Sequence, residues 1–103
     1  MAAESDIEKK AVAYARSLGF MCFKFTSPNV RGVLDRVFIS PAGAVLFLEF
    51  KAPGKKPTVL QLHMIEKLRK QNVAAWWVDN LFRAHAMLRS FNDGPTKFNQ
   101  TYK

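Results

Sequence analysis

Apolar positions change their period several times along the chain, and each change marks an element. Ile7, Ala11, Tyr14 and Leu18 recur at spacings of three and four, which puts them on one face of a helix. Ser5 or Asp6 can cap that helix, which runs to Leu18, and Gly19 stops it. Residues 20–25 are apolar and aromatic and predict a strand. Residues 26–32 hold Pro28, Asn29 and Gly32 and predict a loop. Residues 33–40 predict a second strand, Pro41-Ala42-Gly43 a turn, and 44–51 a third strand. The run Ala44-Val45-Leu46-Phe47-Leu48 does not alternate, which is the pattern of a strand covered on both faces. Residues 52–57 form a loop, and 58–70 predict a second helix with Leu62, Ile65 and Leu68 inward. A fourth strand over 73–78 and a third helix over 81–91 follow, the helix capped by Asp79 or Asn80. From Asn92 the chain is polar and is expected to be loosely held unless Phe98 and Tyr102 anchor it.

The order is helix, three strands, helix, strand, helix. It predicts an α/β domain with one mixed central sheet flanked by helices on both faces. A length of 103 residues fits a single domain, with a core over 4–91 and a tail over 92–103.

Charge narrows the class of partner. Sixteen Lys and Arg stand against eight Asp and Glu, a net charge of +8, which favours polyanions and nucleic acid first among them. No apolar run approaches the roughly 18 residues of a membrane span, and the first ten residues do not read as a secretory signal. Cys22 is the single cysteine, so an internal disulfide and a cysteine-rich zinc module are both excluded, and a reducing, cytoplasmic setting is expected.

The chemistry gathers at the end of the third predicted strand, Phe47-Leu48-Glu49-Phe50-Lys51. Alternation places Glu49 and Lys51 on the same face. An isolated carboxylate there would cost several kcal/mol on burial. A plain Glu49–Lys51 ion pair at a strand end would explain the pattern, but Asp35 adds to it. If residues 33–51 form a hairpin, the midpoint of 35 and 49 is residue 42, inside the predicted turn. The two acids then lie opposite each other, a repulsive pair that a divalent cation converts into ligation. Magnesium takes one or two carboxylates and completes its shell with water and phosphate oxygens. Lys51 is placed to hold or help deprotonate the attacking water, or to stabilise the transition state.

Two further polar residues carry two readings each. Ser5-x-x-Glu8 and Thr58-x-x-Gln61 are both capping boxes. Glu8 and Gln61 are equally placed to face a site. Lys55 and Lys56 leave the third strand directly, and Lys24, Arg31 and Arg36 border the same end; each suits a phosphate or a solvated rim. At least one of Trp76 and Trp77 belongs to the core, and His63 and His85 read as ordinary helix residues.

These residues resemble the VRR-NUC domain, the virus-type replication-repair branch of the PD-(D/E)xK nucleases. The matching stretches are Ile7-Glu8, Lys24-Phe25-Thr26-Ser27-Pro28, Gly32-Val33-Leu34-Asp35-Arg36, Phe47 to Gly54, Pro57 with Gln61, and Val78-Asp79. The resemblance implies a restriction-endonuclease-like αβββαβα core. It implies that Asp35 and Glu49 bind metal, with the Phe50 carbonyl as a further ligand and Lys51 as the catalytic lysine. It makes Glu8 the acid of the first helix, directly on the metal or through water, and Gln61 a catalytic-site glutamine. It implies Mg2+ or Mn2+ as cofactor, no organic cofactor, and DNA contacts from Lys24, Ser27, Arg31, Arg36, Lys55 and Lys56. Stand-alone members of this type resemble phage or bacterial homodimers acting on branched DNA. The family's Gly-Val-Pro-Asp is here Gly32-Val33-Leu34-Asp35, which keeps the acid and loses the proline that fixes the backbone. A non-cutting DNA-binding module would have no use for carboxylates that repel phosphate, and a membrane-surface protein has only the net charge in its favour.

Overall fold

A computed structural model describes residues 3–27, 29–30 and 32–103. The sequence forms α1 (Glu4–Ser17), β1 (Met21–Lys24), β2 (Arg36–Ile39), β3 (Val45–Phe50), α2 (Val59–Lys70), β4 (Ala74–Val78) and α3 (Leu81–Asp93). A 3-10 turn, Pro95–Lys97, and a short helix α4 (Phe98–Thr101) end the chain.

The four strands run β1-β2-β3-β4 across one sheet. The first three are antiparallel, and β3 pairs in parallel with β4 after the crossover through α2. The β2–β3 turn is tied by its own polar groups. The Ser40 amide donates to the Ala44 carbonyl at 2.9 Å, and the Ala44 amide donates to Ser40 Oγ at 3.1 Å. That closure fixes the register at Arg36↔Leu48 and Ile39↔Val45.

Alternation along β3 divides the core. Leu46, Leu48 and Phe50 are fully buried with Phe38 against α1 and α3, where they meet Ile7, Ala11, Ala15, Met87 and Phe91. On the other face Phe47 packs toward Leu34, Ile65 and Ala75 beneath α2. Leu62, expected inward, is exposed: α2 packs toward the sheet through Ile65 and Leu68.

The helix caps separate into one expected and one displaced. Thr58 and Gln61 exchange both bonds of a capping box, at 3.1 and 2.9 Å. At α1 the capping residue is Ala3, and Asp6, not Glu8, reaches back to the cap amide at 3.3 Å. Ser5 therefore lies inside the helix, and Glu8 is free of a capping role. Asn80 caps α3, accepting from the Arg83 amide at 2.7 Å.

The tail is held. Phe98 is buried and meets Phe91 edge to face, with ring centroids 5.5 Å apart. The Asn99 amide donates to the Val73 carbonyl at 2.8 Å and its Oδ1 accepts from the Ala75 amide at 3.2 Å, so one side chain occupies the free edge of β4. Arg69 donates to the carbonyls of Asn99 and Tyr102 and lies over the Trp76 ring.

Gly32 sets how closely the loop before β2 approaches α2. Its φ is +81°, and a Cβ there would lie 2.4 Å from the Leu60 carbonyl oxygen. Gly54 has a similar φ of +80° but open space around it. Gly54→Ala should cost about 1 kcal/mol of backbone strain, whereas Gly32→Ala should cost at least about 2 kcal/mol because the backbone must also move. Thermal unfolding of the two variants checks the difference, and equal losses would remove the close approach as the cause.

Candidate active site

The hairpin register carries Asp35 to the position opposite Glu49, one step beyond Arg36↔Leu48. The Asp35 amide donates to Glu49 Oε1 at 3.2 Å, and Lys51 Nζ lies 3.3 Å from Glu49 Oε2. Glu49 is only 2% exposed, among the most buried charged groups in the chain. Lys51 follows the end of β3, and its amide continues the parallel ladder to the Val78 carbonyl at 2.9 Å. Leu34 is completely buried with Ile65 and Ala75 under α2. It fixes the approach to Asp35 by packing, where a proline would fix it by ring closure.

Burial pushes the Glu49 carboxyl up from its ordinary 4.5 to about 7, the Asp35 charge pushes the same way, and Lys51 pulls it back. One amine is thus an incomplete counterion for two carboxylates. Among the described residues no three His, Cys, Asp or Glu side chains converge on one point. The donor set is an acid pair, which fits a hard divalent cation that keeps water and phosphate oxygens in its shell and does not fit a zinc cage.

No protein-family model matches the chain. A solved structure described as a VRR_NUC domain superposes with a TM-score of 0.79 at 25% identity, over 85% of this chain and 96% of that one. The chain shares the fold of that VRR_NUC domain. Its mixed four-stranded sheet and flanking helices are those of the restriction-endonuclease-like fold. The chain is also similar to a protein of Acyrthosiphon pisum secondary endosymbiont phage 1 named "Putative nuclease p44", 49% identical over 59 residues. That match takes in 57% of this chain and 63% of the phage protein's length, less than two thirds of it.

Within this VRR-NUC-like fold the expected residues separate into groups. Asp35, Glu49 and Lys51 come together on the sheet face beneath α2. Phe50, between the last two, buries its ring against Phe38 at 6.3 Å on the opposite face. Glu8 does not join the acid pair: its carboxylate is ion-paired to Arg36, on the α1 side of the sheet. Arg36 follows Asp35 directly, so the pleat of β2 aims the two side chains to opposite faces. Gln61 spends its side-chain oxygen on the Thr58 amide. Lys55 and Lys56 are exposed on the loop leaving Lys51, Lys24 is exposed at the end of β1, and Ser27 is half-buried. Arg31 and Pro28 lie outside the described residues.

Asp79 has a part that sequence reasoning assigned to a cap. Its Oδ2 accepts from the Gly54 amide at 3.2 Å and braces the Lys55–Lys56 loop from the end of β4. The signal available was the position of Asp79 at the C-terminal end of a strand parallel to β3.

The Glu49 shift has a defined sign. A carboxyl raised in the folded state binds its proton more tightly there than in the unfolded chain, so stability is greatest below about 4.5 and falls as pH rises toward about 7. In chelator, the melting temperature should fall across that window and Glu49→Gln should flatten the fall. A metal-free profile that rises over the same range would contradict the assigned environment of Glu49.

Proposed function

We propose that this VRR-NUC-like domain is a metal-dependent nuclease that hydrolyses DNA phosphodiester bonds, with Asp35 and Glu49 as metal ligands and Lys51 as the catalytic lysine. The observation that carries the reading is the buried Glu49 opposite the half-buried Asp35, with Lys51 beside Glu49, at one end of the sheet. The name of the similar phage protein supports the same activity class.

The reaction adds water to phosphorus, breaks the bond to the leaving oxygen, and passes the water's proton to solvent or a base. A bound Mg2+ or Mn2+ supplies neutralisation of phosphate charge and acidification of water. Asp35 and Glu49 hold their oxygens in the orientation that the β2–β3 ladder dictates. Lys51, half-buried beside Glu49, is positioned to hold the attacking water or to offset charge growing on phosphorus. Lys55 and Lys56 lie where the neighbouring phosphates pass.

The preferred substrate in this reading is branched or structured DNA, cut by a homodimer whose two sites face two strands. Support for a second copy is the open edge of the sheet: among the described residues β1 pairs only with β2, and Met21, Phe23 and Phe25 beside it are exposed. The buried, unpaired Cys22 suits a reducing, cytoplasmic setting. No helix among the described residues is long and apolar enough to cross a membrane.

Labelled duplex, flap and four-way-junction DNA should be cut with Mg2+ or Mn2+ and left whole with chelator. Glu49→Gln and Lys51→Ala should each reduce the rate at least about 100-fold. Cutting that ignores the chelator, or that survives both substitutions, would sink the mechanism. Binding without cutting under every metal would favour a non-catalytic module, and a solution mass near the monomer's 11.7 kDa would remove the dimer.

A further inference from the structure

On the α1 side of the sheet, away from the acid pair, a groove of about 410 Å³ lies between α1 and the ends of β1 and β2. Val12 and Ala13 line it from α1. Lys9 and Arg16 line it from the same helix, both exposed. Seven residues apart on one helix face, their Cα atoms are separated by about 10 Å along the axis. Lys24 and Arg36 close the end nearest β2. Burial raises the pKa of the Cys22 thiol while the charges of Arg16 and Arg36, which both line the groove, lower it.

The charge of this groove is unbalanced. Four cations line it against one carboxylate, Glu8, and Glu8 is already paired with Arg36. Lys9, Arg16 and Lys24 make no ion pair among the described residues. The groove is concave and edged by charge, which fits a strand of phosphates and does not fit a flat lipid surface.

We propose that this groove is a second anion site, which grips the phosphate backbone of the nucleic acid outside the reacting position, with Lys9 and Arg16 as its principal contacts. The polynucleotide class of the ligand rests on the nuclease reading; the anion site itself rests on the groove. Asp35 and Arg36 are neighbours on opposite faces of β2, so a backbone leaving the acid pair around the end of that strand enters the groove at Arg36 and Lys24. The site adds a grip without adding chemistry, and its contacts read no sequence.

The test is binding of fluorescent duplex and junction DNA to the full chain in chelator, by anisotropy over a salt series. Lys9→Gln with Arg16→Gln should weaken binding at least about five-fold near 0.1 M salt and reduce the slope of log affinity on log salt by nearly 2. Lys67→Gln with Lys70→Gln, on the far end of α2, should change the slope by less than half as much. Melting temperatures of both double variants should match the parent, because all four side chains are exposed. An unchanged affinity and slope in the first double variant would overturn the proposal. So would Lys9- and Arg16-dependent binding to phosphatidylserine vesicles with DNA binding intact. DNA binding that needs Lys9 and Arg16 in a protein that cuts with no metal would defeat the nuclease reading and leave the groove standing. Metal-dependent cutting with unaltered binding in the double variant would do the reverse.

Discussion

Two carboxylates held across a buried antiparallel pair are the constraint from which the rest of the site follows. Placed opposite each other, Asp35 and Glu49 repel, and the low exposure of Glu49 removes the water that would screen them. Among the described residues, one backbone amide and one lysine act against that repulsion. The surrounding packing must therefore hold the geometry by force of shape. Leu34 is fixed under α2, Gly32 lets the loop approach the first turn of that helix, and Ser40 locks the turn at the other end of the hairpin. A site strained in this way is stable only because it is embedded in elements whose own interactions are complete.

The parts that could be read from sequence share a property: they depend on local spacing. The hairpin register followed from the symmetry of residues 35 and 49 about the turn, and β2 and β3 adopt it. The Thr58–Gln61 box and the Asn80 cap are contained within four residues. The element order and the buried central strand came from periodicity alone.

What the sequence did not disclose depends on how elements meet. The partner of Glu8 is a strand residue 28 positions away, and only the docking of α1 on the sheet brings Arg36 to it. The α1 cap lies two residues further back because Asp6 can serve Ala3 as well as Glu8 could have served Ser5. Leu62 shares the apolar period of α2, yet only Ile65 and Leu68 of that period reach the cluster beneath the helix, and which turn docks is not encoded in the period itself. The tail became ordered through Asn99, whose amide matters only once β4 is known to lie at the border of the sheet.

That same amide has an architectural result. By meeting the Val73 carbonyl and the Ala75 amide, Asn99 obstructs strand addition at the start of β4, while the described residues put nothing against the outer edge of β1. A protein with a single open border that joins another copy through it leaves neither copy with a border to offer. Growth by such edge pairing would end at a pair and would not run on into a fibre.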